Sequence, residues 1–121
     1  MTPSFRSAVE ARDPEAMRAC LHPDVTFNSP VAFTPYEGRE AVMELLRHVM
    51  DVMPDLRYTD QLAGEDSHVL VFQATAGGKD VQGIDYLVVD AEGLVTELTV
   101  MVRPASALMA LGQEMGARLA A

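Results

Sequence analysis

Two glycine-bearing turns dictate what the second half of this 121-residue chain can become. Gly77-Gly78 and the tetrapeptide Asp90-Ala91-Glu92-Gly93 separate three β-prone stretches, at 68–76, 81–89 and 94–102. Turns this short reverse the chain at once, and glycine accepts the positive φ that they need. The three stretches are therefore expected to pair as antiparallel hairpins. Another strand entering a turn, "LRYTDQLAGED" at 56–66, precedes them, and Arg103-Pro104 closes the last one.

The first half reads as helical. Residues 4–12 place Phe5, Ala8 and Val9 on one face. A second helix starts in "DPEAMRACL": Asp13 can accept hydrogen bonds from unpaired backbone N–H groups, and Pro14 suits a first helical position that needs no N–H. His22-Pro23-Asp24 breaks that helix. "VTFNSP" is a short strand ended by Pro30, and "VAFTPYEG" is a loop carrying Phe33 and Tyr36. Residues 39–54 give the clearest helix, with Val42, Leu45, Leu46, Val49, Met50 and Met53 forming one broad apolar face. Residues 105–119 read as a last helix, weakened by Gly112 and Gly116. Helices early and antiparallel strands late predict an α+β fold, as a single domain over residues 1–121.

Side chains alternate between the two faces of a strand. One face of the last two strands reads Val81, Gly83, Asp85, Leu87 and Val89, with Leu98, Val100 and Val102. The other reads Ile84, Tyr86 and Val88, with Val95, Glu97, Thr99 and Met101. A sheet wet on one side alternates more cleanly than this. One face is expected to meet the helices and the other a second copy of the chain, which predicts a homodimer through the outer sheet face.

Charge and composition exclude several classes of partner. Nine basic residues against eighteen acidic ones give a net charge of −9, and no basic stripe is present, so nucleic acid and anionic membrane surfaces are not expected partners. No run approaches the roughly 18 apolar residues of a membrane helix. The N-terminal residues show no signal-peptide pattern, and Cys20 stands alone, so a cytoplasmic protein is expected. His22, His48 and His68 have no metal-ligand spacing among themselves or with Cys20. "AGGKD" lacks the spacing of a phosphate loop. Neither metal nor cofactor is expected.

The segments "HPDVTFNSP", "YEGREAVMELL" and "GIDYLVVDAEGLVTELTVMVRP", in that order, resemble the SnoaL-like and ketosteroid-isomerase-like branch of the nuclear transport factor 2-like superfamily. The resemblance implies a cone-shaped, strongly curved antiparallel sheet wrapped around the long helix, a cystatin-like α+β roll, with an apolar pocket at one end. It also implies a family of many functions, from isomerases, polyketide cyclases, epoxide hydrolases and dehydratases to proteins that only bind ligands. In ketosteroid isomerases the chemistry rests on a carboxylate base after the first strand, a tyrosine on the first helix and a protonated aspartic acid on a late strand. Laid on this chain, the late acid falls on Asp85, the base position on Ser29 and the tyrosine position near Phe5. Serine is no carboxylate and phenylalanine has no hydroxyl, so isomerisation by that mechanism is not expected. Epoxide hydrolases of the fold use two aspartates and an arginine. The last strand here offers only Glu97, on the face opposite Leu98 and Val100.

Asp85 is thus the expected acidic group of an apolar pocket. Its carboxyl should be hard to ionise there, and either protonation state is chemically useful. A pairing with Tyr58 or Gln73 is the structural alternative. The residues expected around a ligand are Phe27, Asn28, Ser29, Phe33, Leu45, Val49, Tyr58, Phe72, Leu87, Leu98 and Val100. Asn28 and Ser29 could equally serve the turn before Pro30. Tyr36 is expected to pin its loop onto the core, and His68 is a minor candidate for a base at the rim. Three functions fit: cofactor-independent acid/base catalysis on a small apolar oxygenated molecule, non-catalytic binding of such a molecule, or a dimeric scaffold filled by its own methionines and phenylalanines. A scaffold should lack a cavity of the roughly 300 Å³ that a drug-sized molecule needs.

Overall fold

The computed structural model describes residues 4–119. Two short helices, α1 (Phe5–Glu10) and α2 (Pro14–Cys20), lead into β1 (Leu21–Asn28) and a two-residue β2 (Tyr36–Glu37). The long helix α3 (Arg39–Val52) follows, then β3 (Arg57–Ala63), β4 (Ser67–Ala76), β5 (Lys79–Val89), β6 (Val95–Arg103) and α4 (Ala105–Leu119). The six strands form one curved, unclosed sheet in the order β2-β1-β6-β5-β4-β3. β3 to β6 make an antiparallel meander, while β1 returns to lie parallel to β6.

Local chemistry places these elements. Ser4 Oγ accepts from the Ser7 N–H at 3.0 Å and Asp13 Oδ1 from the Ala16 N–H at 3.2 Å, which starts α1 and α2. Gly77 and Gly78 have φ of 55° and 78°, the paired positive values that a two-residue hairpin between Ala76 and Lys79 demands. In the next turn Asp90 Oδ1 accepts from the N–H groups of both Glu92 and Leu94, at 2.9 Å each.

Three sequence expectations need correction. The His22-Pro23-Asp24 segment does end the helix, but it already belongs to β1, which begins directly after Cys20. Tyr36 and Glu37, read as loop, pair with Phe27 and Thr26. Two residues are too few to show any periodicity. Val95, placed outward with Glu97, is 2% exposed. Leu87 pairs with Leu98, Val88 with Glu97, and Val89 with Val95, so Thr96 is an extra residue in a bulge. One extra residue returns the following side chain to the inner face.

The core lies between the inner sheet face and the helices. Val42, Met43, Leu45 and Leu46 of α3 are buried against Leu70, Phe72, Ala74, Val81, Leu87 and Leu98. Gly83 sits opposite Phe72 in the β4–β5 register, and the Phe72 ring lies against it. At the other side of the cone α4 approaches the loop after β1 at Gly112, where a Cβ would stand 3.3 Å from Val31 Cγ1. Among the described residues no helix is long and apolar enough to cross a membrane.

Candidate active site

The inward face of β5 places Asp85 between Leu70 of β4 and Val100 of β6. At 7% exposure it is the only buried charged or polar residue among those described, apart from the Tyr58 phenol beside it. Tyr58 lies on β3, with β4 in between, and donates its hydroxyl to Asp85 Oδ2 at 2.7 Å. The structural alternative raised by the sequence, a pairing with Tyr58, is therefore what the fold builds. Gln73 instead accepts a bond from Arg57 on the outer side.

Burial pushes the Asp85 carboxyl up to about 6, and the Tyr58 hydrogen bond draws it back only in part. Burial, and then the Asp85 charge, hold the Tyr58 phenol far above its ordinary value, so it stays protonated and remains a donor. The guanidinium of Arg6 lies over the Tyr58 ring, 5.9 Å from its centroid, and opposes that rise. Because the folded protein holds the Asp85 proton more tightly than the unfolded chain, Asp85 is neutral at no cost below the ordinary carboxylate range. Stability falls as pH climbs through about 6. At about 1.4 kcal/mol per pKa unit, a rise from 3.8 to about 6 means about 3 kcal/mol lost by pH 7. Tyr58→Phe removes a bond that favours the carboxylate. It is expected to raise the Asp85 pKa further, as read by carboxyl ¹³C NMR titration; a fall would contradict this geometry.

The pair faces a cavity of about 170 Å³. Leu45, Leu46, Val49 and Met50 of α3, with Met53 just past its end, form one wall, and Phe27, Phe72, Leu98 and Val100 of the sheet another. The Ser29–Ala32 loop and the Gly112–Leu119 part of α4 complete it on the side where Val31 and Leu119 are 54% and 46% exposed. The cavity falls short of the roughly 300 Å³ taken as the size for a drug-sized molecule. Much of the cone is filled by the chain's own side chains, Met17, Met50, Met53 and Met115 among them.

Of the expected ligand-facing residues, the fold gathers Phe27, Ser29, Leu45, Val49, Tyr58, Phe72, Leu98 and Val100 around Asp85. Three stand elsewhere. Asn28 points to the outer face, where its Nδ2 donates to Glu97 Oε1 at 3.1 Å and Thr99 Oγ1 at 2.9 Å. Phe33 is fully exposed on its loop, beside a shallow outer groove with Thr99 and Met101. Leu87 is buried one inward row beyond Asp85 and lines a second cavity. Ser29 Oγ accepts from the Val31 N–H at 3.0 Å, the turn role, and keeps its own proton to give. The Tyr36 ring packs edge-on against Phe27, with centroids 6.3 Å apart.

Sequence reasoning did not include Val9, Met17, Gly112, Met115 and Gly116 in the wall. The signal for the glycines was their spacing of four, which puts both on one face of α4. His48 accepts a bond from Arg118 and His22 from the Asp24 N–H. Among the described residues no cluster of acidic, histidine and cysteine side chains could hold a metal ion.

A family model described as a SnoaL-like domain matches residues 4–98. Among solved structures, one from Pseudomonas aeruginosa described as a steroid delta-isomerase is 42% identical, with a TM-score of 0.90, over 96% of this chain and 86% of that one. An uncharacterised protein with a cystatin-like fold from Silicibacter pomeroyi is 30% identical, also at 0.90, over 98% of this chain and 86% of that one. A SnoaL-like protein of unknown function from Burkholderia thailandensis, 18% identical at a TM-score of 0.70 over 84% and 90% of the two chains, shares the fold. No curated protein sequence matches significantly.

Proposed function

Since the chain belongs to the SnoaL-like domain family, we propose that it acts on a small oxygenated molecule of about one ring, by cofactor-independent acid/base catalysis at Asp85. The observation that carries this reading is the 2.7 Å bond from Tyr58 to a carboxylate buried in an apolar cavity. A carboxyl that titrates near 6 is matched to proton transfer close to neutral pH. Above that pH the ionised Asp85 takes a proton from the carbon next to a ligand carbonyl. The C–H bond breaks, an O–H bond forms on the carboxyl, and the electron pair moves to the ligand oxygen as an enolate. The spare proton of the Ser29 hydroxyl is the donor offered to that oxygen. Return of the proton to a different carbon completes an isomerisation.

Cavity size supports a smaller substrate than a steroid. An apolar cavity of about 150 Å³ holds benzene, and this one measures about 170 Å³. The similarity to a steroid delta-isomerase supports the type of proton shift. Binding without turnover is the second reading. The family resemblance sets Ser29 at the position of the ketosteroid-isomerase base and the phenol position near Phe5, neither of which can do that work, and Tyr58 already satisfies Asp85.

Cyclohex-2-enone in D₂O separates the two readings. Catalysis predicts exchange of its hydrogens next to the carbonyl, seen by ¹H NMR, with a rate that rises with pH through about 6 as Asp85 ionises. Saturable ligand shifts without exchange above background support the binder and contradict the catalyst. Neither exchange nor shifts contradicts both.

The outer face, where Tyr86 and Met101 are 38% and 53% exposed, supports a homodimer as part of the same proposal. Val88→Asp is then expected to yield monomers or aggregates in sedimentation. An unchanged dimer would place the contact elsewhere.

A further inference from the structure

We propose that the molecule taken by the Asp85 cavity is a ring bearing an unbranched hydrocarbon chain, and that the chain leaves through a notch in α4 at Gly116. This rests on the reading of the cavity as a ring site and adds to it the kind of substituent the ring carries. Gly116 is then the residue that decides which rings are preferred.

The notch begins in the sequence. Glycine is a poor residue for a helix interior, yet α4 carries two of them, four residues apart and so on one face. At Gly112 this face meets the loop after β1, where a Cβ would stand 3.3 Å from Val31 Cγ1. One turn further, about 6 Å along the helix axis, the contact has ended. A Cβ at Gly116 would meet no atom of the described residues within 4 Å. Gly116 is exposed and still lines the cavity, so the wall is open there. Val31 and Leu119, the half-exposed apolar residues of the same side, form the rest of the rim.

A second observation, independent of the glycines, points to a ligand behind the notch. Asp85 is 7% exposed, and its Oδ2 accepts the Tyr58 bond. Its Oδ1 receives no hydrogen bond from the described residues and lies open to the cavity. A buried polar atom rarely stays without a partner, and a bound molecule supplies one. The space behind the notch, about 170 Å³, is filled by one ring, so any substituent of length must pass outward. The route selects its chemistry. Asp85 is the only charged side chain among the described residues lining the cavity, and the rim at Val31, Gly112, Gly116 and Leu119 offers hydrocarbon and no cation. A phosphate or carboxylate on the chain would lose water there without gaining a partner, whereas methylene groups gain from burial.

Cyclohexanone and 4-pentylcyclohexanone test this, since they share the hydrogens next to the carbonyl and differ in the chain. Affinities for the full chain are read from the Met50 and Met115 methyl signals, both on the cavity wall, and hydrogen exchange is followed in D₂O. The expected result is a pentyl ketone bound about tenfold or more tightly than the bare ring, as the burial of two or three methylene groups requires. Gly116→Leu puts a side chain in the notch and should cut that preference to about twofold or less. Leucine suits a helix better than glycine, so α4 is kept, and the wild-type comparison decides even without the variant. Equal wild-type affinities, or an undiminished preference in Gly116→Leu, would overturn the proposal. A preference with no exchange of either ketone supports the chain site and contradicts the catalyst. Exchange of both at equal affinity does the reverse, and binding of neither contradicts both.

Discussion

Asp85→Asn is expected to lower the rate of ring-ketone hydrogen exchange by about 100-fold or more and, at the same time, to make the protein more stable at neutral pH. The two effects share one cause. The wild-type carboxyl is held where ionisation is costly, and at pH 7 the fold carries that cost because Asp85 has lost its proton. An amide carries no charge, and its oxygen can still accept the bond from Tyr58 that Asp85 Oδ2 accepts at 2.7 Å. Urea unfolding should therefore show a gain of up to about 3 kcal/mol at pH 7 that shrinks toward zero near pH 4, where Asp85 is neutral. The sign is the informative part. Removing an ionised group held by an ion pair would destabilise at pH 7, and that outcome would contradict a dry, uncompensated carboxyl. Loss of catalysis with a gain in stability is the signature of a group kept for function.

Gly83→Ala is expected to be the most damaging single-methyl change in the sheet. A Cβ at that position would stand 2.4 Å from Phe72 Cζ and 2.6 Å from the Met101 carbonyl oxygen. The carbonyl belongs to the β5–β6 ladder and cannot retreat without breaking it. The ring is only 1% exposed and is closely packed. Overpacking of this kind costs typically about 1–3 kcal/mol and occasionally more, and two immovable neighbours put the expectation at the upper end. Chemical denaturation measures it. Phe72→Leu in the same chain should recover part of the loss, since it relieves the ring contact and leaves the carbonyl contact. A loss below about 0.5 kcal/mol would mean that the strand shifts freely, and that the wall beside Asp85 is less rigid than described.

Local chemistry made much of the architecture legible. Gly77-Gly78 and Asp90 to Gly93 named two hairpins, Asp13-Pro14 a helix start, and the apolar stripe of 39–54 the helix at the centre. Strand parity put Asp85, Leu98 and Val100 on the inner face, where they are found. Features that depend on distant strands were harder to read. The sequence offers Tyr58 and Gln73 alike as partners of Asp85, and only the strand order β5-β4-β3 and the inward side of Tyr58 select the tyrosine. β1 runs parallel to β6, a pairing fixed by the return of the chain rather than by a turn motif. Parity misplaces Val95 because a bulge breaks the period of two on which it rests. Gly112 and Gly116 read as weaknesses in a helix, whereas in the fold they line the cavity, and Gly112 lies against Val31.

The dry cavity and the chemistry proposed for it both depend on the protonation of one side chain, so the most direct test is the Asp85 pKa. It is measured by carboxyl ¹³C NMR titration, with Asp85→Asn to assign the signal. A midpoint near 6, well above the ordinary value of about 3.9, is the predicted result. A midpoint at or below that ordinary value would show a carboxylate that is solvated or ion-paired. It would contradict both the dry cavity and the acid/base chemistry built on it.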